Sequence, residues 1–151
     1  MDNIIINKRW QDDELIELHV VAKSQYVTVN QNCYVSMENM FFNLELLEQY
    51  IQNSNNEIYI EFGNKEGNYT PAFSLKLFPM NSNGHLTIEV DLEIDDNNSR
   101  CHRCIFYIDV ELGAVERFAK KLSKIQELSN EDYVCIYEEK FSKLETIFIS
   151  I

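Results

Sequence analysis

The stretch NGHLTIEVDLEIDDN, residues 83–97, decides most of the fold. Apolar side chains on one parity (Leu86, Ile88, Val90, Leu92, Ile94) alternate with mostly polar ones on the other (His85, Thr87, Glu89, Asp91, Glu93). Because successive side chains of a strand point to opposite faces, this alternation predicts a β-strand with one dry and one wet face. The carboxylates of Glu89, Asp91 and Glu93 would then form a row on the wet face, with neighbours roughly 6.5 to 7 Å apart.

Similar alternation predicts further strands along the chain, in residues 3–8, 14–23, 24–35, 57–63, 72–78 and 101–110. The connections PMNSNG (79–84) and DDNNSR (95–100) are short and rich in turn residues. Strands joined so briefly are expected to pair antiparallel, as a meander. Strand-like pieces also occur in DYVCIY (132–137) and TIFISI (146–151), whose place in the sheet the pattern leaves open.

Two segments have helical rather than strand periodicity. Ser36 is a typical N-cap, and from Met37 onward apolar residues recur at spacings of three and four. Phe42, Leu46 and Tyr50 widen this stripe, which predicts a helix buried over more than half its circumference. A second helix is predicted over Glu111–Leu128, with acidic residues early and lysines late, as the helix dipole favours.

The pattern as a whole predicts one α+β domain spanning residues 1–151. Its antiparallel meander sheet has six to eight strands, and two amphipathic helices pack on the dry face. Residues 129–151 form a C-terminal extension. The length of 151 residues is enough for a single substantial core.

Charge and composition narrow the function. The formal net charge of −12 opposes binding to nucleic-acid backbones and to anionic membranes and favours a basic protein partner. No stretch reaches the roughly 18 apolar residues of a membrane-spanning helix, and the N-terminus has no signal-peptide pattern. Four cysteines are too few for a secreted disulfide scaffold, so a cytoplasmic protein with reduced thiols is expected.

The wet face supplies the candidate site. Its partner-binding residues are predicted to be Glu57, Tyr59, Glu61, Glu89, Asp91, Glu93, Arg103 and Tyr107, with Lys76 on the same face. Three interpretations are open: an ordinary solvated sheet face, an acidic patch with aromatic anchors that docks a basic protein, or a pair of catalytic carboxylates. The third is weak, because a regular strand gives no reason for one carboxyl group to have a raised pKa.

Neither a metal nor a cofactor is predicted. The string CHRC (101–104) has no second ligand pair, and Cys101 and Cys104 would point to opposite faces of a strand. Residues 91–102 lack the glycine and the final glutamate of a calcium-binding EF-hand loop. The sequence leaves open whether Cys33 and Cys135 approach each other, and whether Trp10 is a packing anchor or a ligand-stacking residue.

The order of these motifs resembles a known family. Trp10 precedes the first strand pair, the first helix contains MFFNLELLEQYI, the strand GHLTIEV follows, and CIFYIDVELGAVERFAKKLSKI passes from strand to helix. This arrangement, over about residues 10–125, is similar to the WapI-type immunity proteins of bacterial polymorphic toxin systems. The resemblance implies a cytosolic inhibitor of a toxin domain and brings no catalytic residues with it.

The predicted function is therefore a non-enzymatic immunity protein that neutralises a toxin domain by stoichiometric occlusion through its acidic face. One alternative is a small carbohydrate-binding module or carboxylate-dependent hydrolase that uses the same face. Another is a structural protein that forms homo-oligomers through an edge strand or the C-terminal extension.

Overall fold

The computed structural model describes residues 2–65, 71–96 and 100–138. The strands are β1 (Asn3–Gln11), β2 (Leu15–Lys23), β3 (Thr28–Ser36), β4 (Ile58–Phe62), β5 (Ala72–Leu77), β6 (His85–Asp96), β7 (Arg100–Glu111) and β8 (Tyr133–Cys135). Helix α1 (Met37–Gln52) separates β3 from β4, and helix α2 (Leu112–Leu122) follows β7 directly. A short 3-10 turn covers Ile125–Glu127. The predicted α+β class is therefore confirmed for the described residues.

The described strands form two antiparallel sheets, so the prediction of a single meander sheet was wrong. The first sheet has the order β3-β2-β1-β8 and the second has the order β4-β5-β6-β7. Within each sheet, strands that are consecutive in sequence pair antiparallel, whereas the sixteen-residue helix α1 stands between β3 and β4. Strands β3 and β4 are therefore not hairpin partners, and each is an edge strand of its own sheet.

One core joins the two sheets and both helices. The inward faces of the sheets contribute residues such as Ile6, Leu18, Phe73 and Val90. Helix α1 adds residues such as Met40 and Leu47, and α2 adds residues such as Val115 and Phe118. Each buried methylene removed from water contributes about 0.8 kcal/mol, so this core is the main source of stability.

The predicted face of α1 is only partly correct. Ser36 caps the helix as expected, because its Oγ accepts a hydrogen bond from the backbone N–H of Asn39 at 3.0 Å. Phe41 and Phe42, however, are 57% and 58% exposed and do not widen the buried stripe. Asn43 takes a buried position instead, where its amide donates to the backbone carbonyl of Glu61 at 2.8 Å. A polar residue is stable there because its amide satisfies a backbone hydrogen-bond acceptor of β4.

The second predicted helix is shorter than expected. Helix α2 ends at Leu122, and Ile125–Glu127 continues it as a 3-10 turn rather than as helix through Leu128.

Part of the C-terminal extension belongs to the first sheet. Strand β8 pairs antiparallel with β1, with Val134 opposite Ile6. The second strand-like piece, TIFISI, lies outside the described residues.

The two cysteines whose proximity was left open lie on different sides of the first sheet. Cys33 belongs to the main core, whereas Cys135 packs with Ile5 and Val21 on the outer face of that sheet.

Candidate functional site

The acidic residues of β6 lie in an extended strand, as the alternation predicted. Leu86, Ile88, Val90 and Leu92 are buried in the core. The opposite parity forms the outer face of the second sheet, and the uninterrupted register of β6 with β5 and β7 fixes which side chains are neighbours on it.

Two cross-strand rows make up the centre of this outer face. The first row runs from β4 to β7 through Tyr59, Lys76, Glu89 and Tyr107. The second row runs in the same direction through Glu61, Ser74, Asp91 and Ile105. The candidate residues of four separate strands are therefore brought together, because directly opposed side chains of antiparallel strands have Cβ atoms about 5 Å apart.

Each tyrosine of the first row donates a hydrogen bond to a carboxylate. The Tyr59 hydroxyl donates to Glu61 Oε1 at 2.6 Å, and the Tyr107 hydroxyl donates to Glu89 Oε2 at 3.0 Å. Desolvation of the hydroxyl, followed by this hydrogen bond, raises the pKa of Tyr59 to about 12. The hydrogen bond to Glu89 likewise raises the pKa of Tyr107. The rings are 49% and 55% exposed, so each presents an aromatic surface whose hydroxyl is held in place.

Asp91 differs from the other carboxylates because it is buried. Its side chain is 5% exposed, and Arg103 donates to it with two nitrogens, Nε to Oδ1 at 3.0 Å and Nη2 to Oδ2 at 2.6 Å. Lys65 Nζ lies 3.0 Å from Asp91 Oδ2 and donates to Ser74 Oγ at 2.7 Å. The expectation that Asp91 faces solvent as part of the contact row was therefore wrong: the protein's own cations cover it.

The pKa of Asp91 reflects this setting. Burial raises the pKa, but the hydrogen bonds and charges of Arg103 and Lys65 outweigh burial and leave the pKa below its usual value. The carboxylate is thus held ionised and cannot act as a general acid near neutral pH.

Gly63 explains how Lys65 reaches the sheet. Its backbone has φ of 81°, and a Cβ at this position would lie 2.8 Å from the Pro71 carbonyl oxygen. Only glycine fits such a turn without strain. Past this turn, the Lys65 side chain reaches Ser74 and Asp91, a contact that no periodic pattern in the sequence announces.

The remaining predicted residues lie around this centre. Glu57 precedes β4, and its Oε2 is 3.9 Å from Lys76 Nζ. Glu93 is the register partner of Arg103, whose side chain is 54% exposed. Sequence reasoning missed Ile105, which is 45% exposed in the second row although its type suggests a core position.

Trp10 is also more exposed to solvent than a residue that anchors the core would be. It is 47% exposed and lies in register with Glu17, which pairs in turn with Tyr34. Tyr34 is 55% exposed, and the charge of Glu17 raises the pKa of its phenol. This smaller aromatic-acidic row belongs to the first sheet.

Two general findings apply only to residues 2–65, 71–96 and 100–138. No group of three or more His, Cys, Asp or Glu side chains in these ranges is arranged to hold a metal ion. In the same ranges, neither helix has both the length and the apolar composition needed to cross a membrane. The candidate site is the outer face of the second sheet, where the two cross-strand rows bring aromatic and charged side chains together.

Comparison of the chain with protein-family models, with curated proteins and with solved structures found no match. The resemblance to WapI-type immunity proteins therefore stays a prediction, and the function is argued from the outer face of the second sheet.

Proposed function

We propose that this chain is a non-enzymatic binding protein, an immunity protein that neutralises a toxin domain in the cytoplasm of the producing cell. In a one-to-one complex, the outer face of the second sheet binds the toxin domain and occludes the surface through which the toxin acts. One observation carries the proposal: Tyr59 and Tyr107 stand half exposed in one row, each fixed by a carboxylate.

This arrangement suits protein recognition for two reasons. Tyrosine supplies a large contact area with few rotatable bonds, and its fixed hydroxyl lowers the ordering cost of binding further. Carboxylates around such anchors speed the encounter with a basic partner, and the net charge of −12 adds a long-range attraction.

The ion cluster of Asp91, Lys65 and Arg103 has a supporting role in this proposal. It holds the Lys65 and Arg103 side chains against Asp91 on the sheet, so this part of the face is formed before the partner arrives. Glu57, Glu61, Glu89 and Glu93 are then the carboxylates that meet the partner.

The experiment tests neutralisation directly. The toxin domain to use is the variable C-terminal end of the large secreted protein that we expect the neighbouring upstream gene to encode. Co-expression with this chain should restore growth of a host producing that domain, and the mixed proteins should elute as a one-to-one complex. A neighbouring gene for an unrelated metabolic enzyme, or a toxin that stays lethal, would contradict the proposal.

A pair of double variants locates the contact. Glu89→Lys with Glu93→Lys should slow association roughly 100-fold, because two of the four carboxylates that meet the partner are reversed in charge. Glu38→Lys with Glu45→Lys makes the same change of charge on the exposed side of α1 and should leave the rate within about threefold. Equal effects of the two pairs would show that only net charge matters and would reject the face.

The hydrolase alternative has less support. Its general acid would need a raised pKa, and the most buried carboxylate of the face, that of Asp91, has a lowered one.

A further inference from the structure

Strands β4 and β7 are the two edges of the second sheet. Within the described residues, only some of their outward backbone groups have hydrogen-bond partners. At β4, the carbonyl of Glu61 accepts the Asn43 amide at 2.8 Å. At β7, the backbone N–H of Asp109 donates to Asp2 Oδ2 at 3.0 Å, and that of Glu111 donates to the Tyr137 hydroxyl at 3.1 Å. Side chains distant in sequence thus cap the C-terminal half of the β7 edge.

The same two contacts show which way the other groups of β7 point. Along an antiparallel strand, alternate residues direct their N–H and C=O groups to the same side. Asp109 and Glu111 direct their N–H groups away from β6, and the register of β7 has no bulge, so Ile105 and Tyr107 point outward as well. Among the described residues, no hydrogen bond closes the outward backbone groups of Ile105 and Tyr107.

The open part of this edge lacks the usual protection against pairing. Soluble proteins commonly place lysine, proline or a bulge on an exposed edge strand. Here the two residues have apolar or aromatic side chains that are 45% and 55% exposed. Four backbone groups and two anchoring side chains therefore form a template on which another strand can pair.

We propose that the β7 edge from Ile105 to Tyr107 accepts an extended, basic segment of the partner as an additional strand of the second sheet. The inference rests on the proposed function. It adds that the part of the toxin domain bound at β7 is an extended strand. Main-chain hydrogen bonds give affinity in this mode of recognition, and alternate side chains give specificity.

Charge selects a basic strand. An added strand would lie about 4.8 Å from β7 and about 10 Å from β6. A side chain of that strand that passes Tyr107 would extend towards Glu89, the register partner of Tyr107, a distance that lysine or arginine can span. A second copy of this chain would bring the same carboxylates against themselves, with −12 charges on each molecule.

Amide hydrogen exchange tests the free edge in the full-length protein. The N–H groups of Phe106 and Ile108 pair with β6 and should exchange slowly, whereas those of Ile105 and Tyr107 should exchange fast. Equal protection at all four positions in the free protein would overturn the proposal. So would protection that rises with protein concentration together with a dimer in light scattering, because β7 would then pair with another copy.

The binding probe is a blocked hexapeptide that alternates lysine and valine. At ten times its dissociation constant it should slow exchange at Ile105 and Tyr107 roughly tenfold, and leave Phe106 and Ile108 unchanged. A glutamate-valine peptide of the same length should not bind. Equal binding of both peptides, or binding that leaves Ile105 and Tyr107 in fast exchange, would overturn the proposal.

Two substitutions at one position separate backbone from side chain. Ile105→Pro removes the outward N–H without removing a ladder bond, and proline is tolerated at such edge positions. Ile105→Ala removes the side chain and keeps the N–H. We expect Ile105→Pro to abolish peptide binding, and Ile105→Ala to weaken it less than tenfold. Thermal unfolding checks that both variants fold, and equal peptide affinity of the two would overturn the proposal.

The outcomes also separate this inference from the proposed function. Toxin neutralisation that survives Ile105→Pro would overturn the strand-pairing mode and leave the immunity function standing. Loss of neutralisation by Ile105→Pro, with retention by Ile105→Ala, would support both. If the protein binds the lysine peptide at β7 but never neutralises the toxin, the immunity function alone would be contradicted.

Discussion

The outer faces of the two sheets differ, although each sheet has four antiparallel strands. On the first sheet, Ile5, Val21 and Cys135 are buried in a small cluster of their own. On the second sheet, the outer face exposes Tyr59, Ile105 and Tyr107 on its edge strands and carries the carboxylates. The outer face of a sheet can therefore form a second core where it is buried. It can form a contact surface where its side chains stay exposed.

The local sequence contains part of this difference. Strand β1 has three consecutive isoleucines, Ile4 to Ile6, which is typical of a strand buried on both faces. Strand β6 alternates without such a run. Continuous and alternating strands thus predict doubly covered and singly covered sheets respectively.

The largest effect is expected when one isoleucine on each outer face is truncated to alanine. Ile5 is 1% exposed and Ile105 is 45% exposed. Ile5→Ala should cost about 3 kcal/mol in the free energy of unfolding, because it leaves a cavity. Ile105→Ala, the matched control, should cost less than about 0.5 kcal/mol. Urea unfolding measures both, and equal costs would show that the two faces are covered alike.

The next effect concerns Asp91, the buried carboxylate of the second cross-strand row. Asp91→Ala leaves Lys65 and Arg103 without their shared acceptor and should cost about 2 kcal/mol, within the range for hydrogen bonds to charged groups. Glu89→Ala on the same strand is the control and should change stability by less than about 0.5 kcal/mol. Unfolding curves in which Asp91→Ala matches Glu89→Ala would mean that the ion cluster contributes nothing.

The pH dependence of stability should follow from the same cluster. The folded pKa of Asp91 lies below the ordinary value of 3.8, so the unfolded chain takes up the proton first as the pH falls. Its contribution is complete above that value and is lost as the pH falls through the folded pKa. The stability difference between the native protein and Asp91→Ala should therefore be constant near neutrality and shrink below about pH 4. A difference that grows in acid would contradict the ion cluster.

The smallest effect should appear at the exposed tyrosine. The hydrogen bond from Tyr107 to Glu89 keeps the phenol protonated to higher pH. Glu89→Gln should lower the pKa of Tyr107 towards 10.0 and leave the unfolding midpoint in urea unchanged. Ultraviolet titration of each protein, with Tyr107→Phe to assign the signal, checks the direction. An unchanged titration would mean that the pair does not form.

Much of the fold could be predicted because it follows from local rules. The parity of Leu86, Ile88, Val90 and Leu92 places them in the core, and Ser36 caps α1 as its type suggests. Two features could not be predicted in this way. The exposure of Phe42 depends on which neighbours pack against α1, and the burial of Asp91 depends on a lysine from another loop.

The positions of strands and helices, and the apolar parity of each strand, can be read from the amino-acid sequence, because both are properties of a few neighbouring residues. The division of the strands into two sheets and the enclosure of Asp91 by Lys65 and Arg103 arise from tertiary contacts alone. So does the β7 edge, where no hydrogen bond from a described residue reaches the outward backbone groups of Ile105 and Tyr107. These features depend on contacts between residues distant in the chain, and a pattern with a period of two residues carries no information about such contacts.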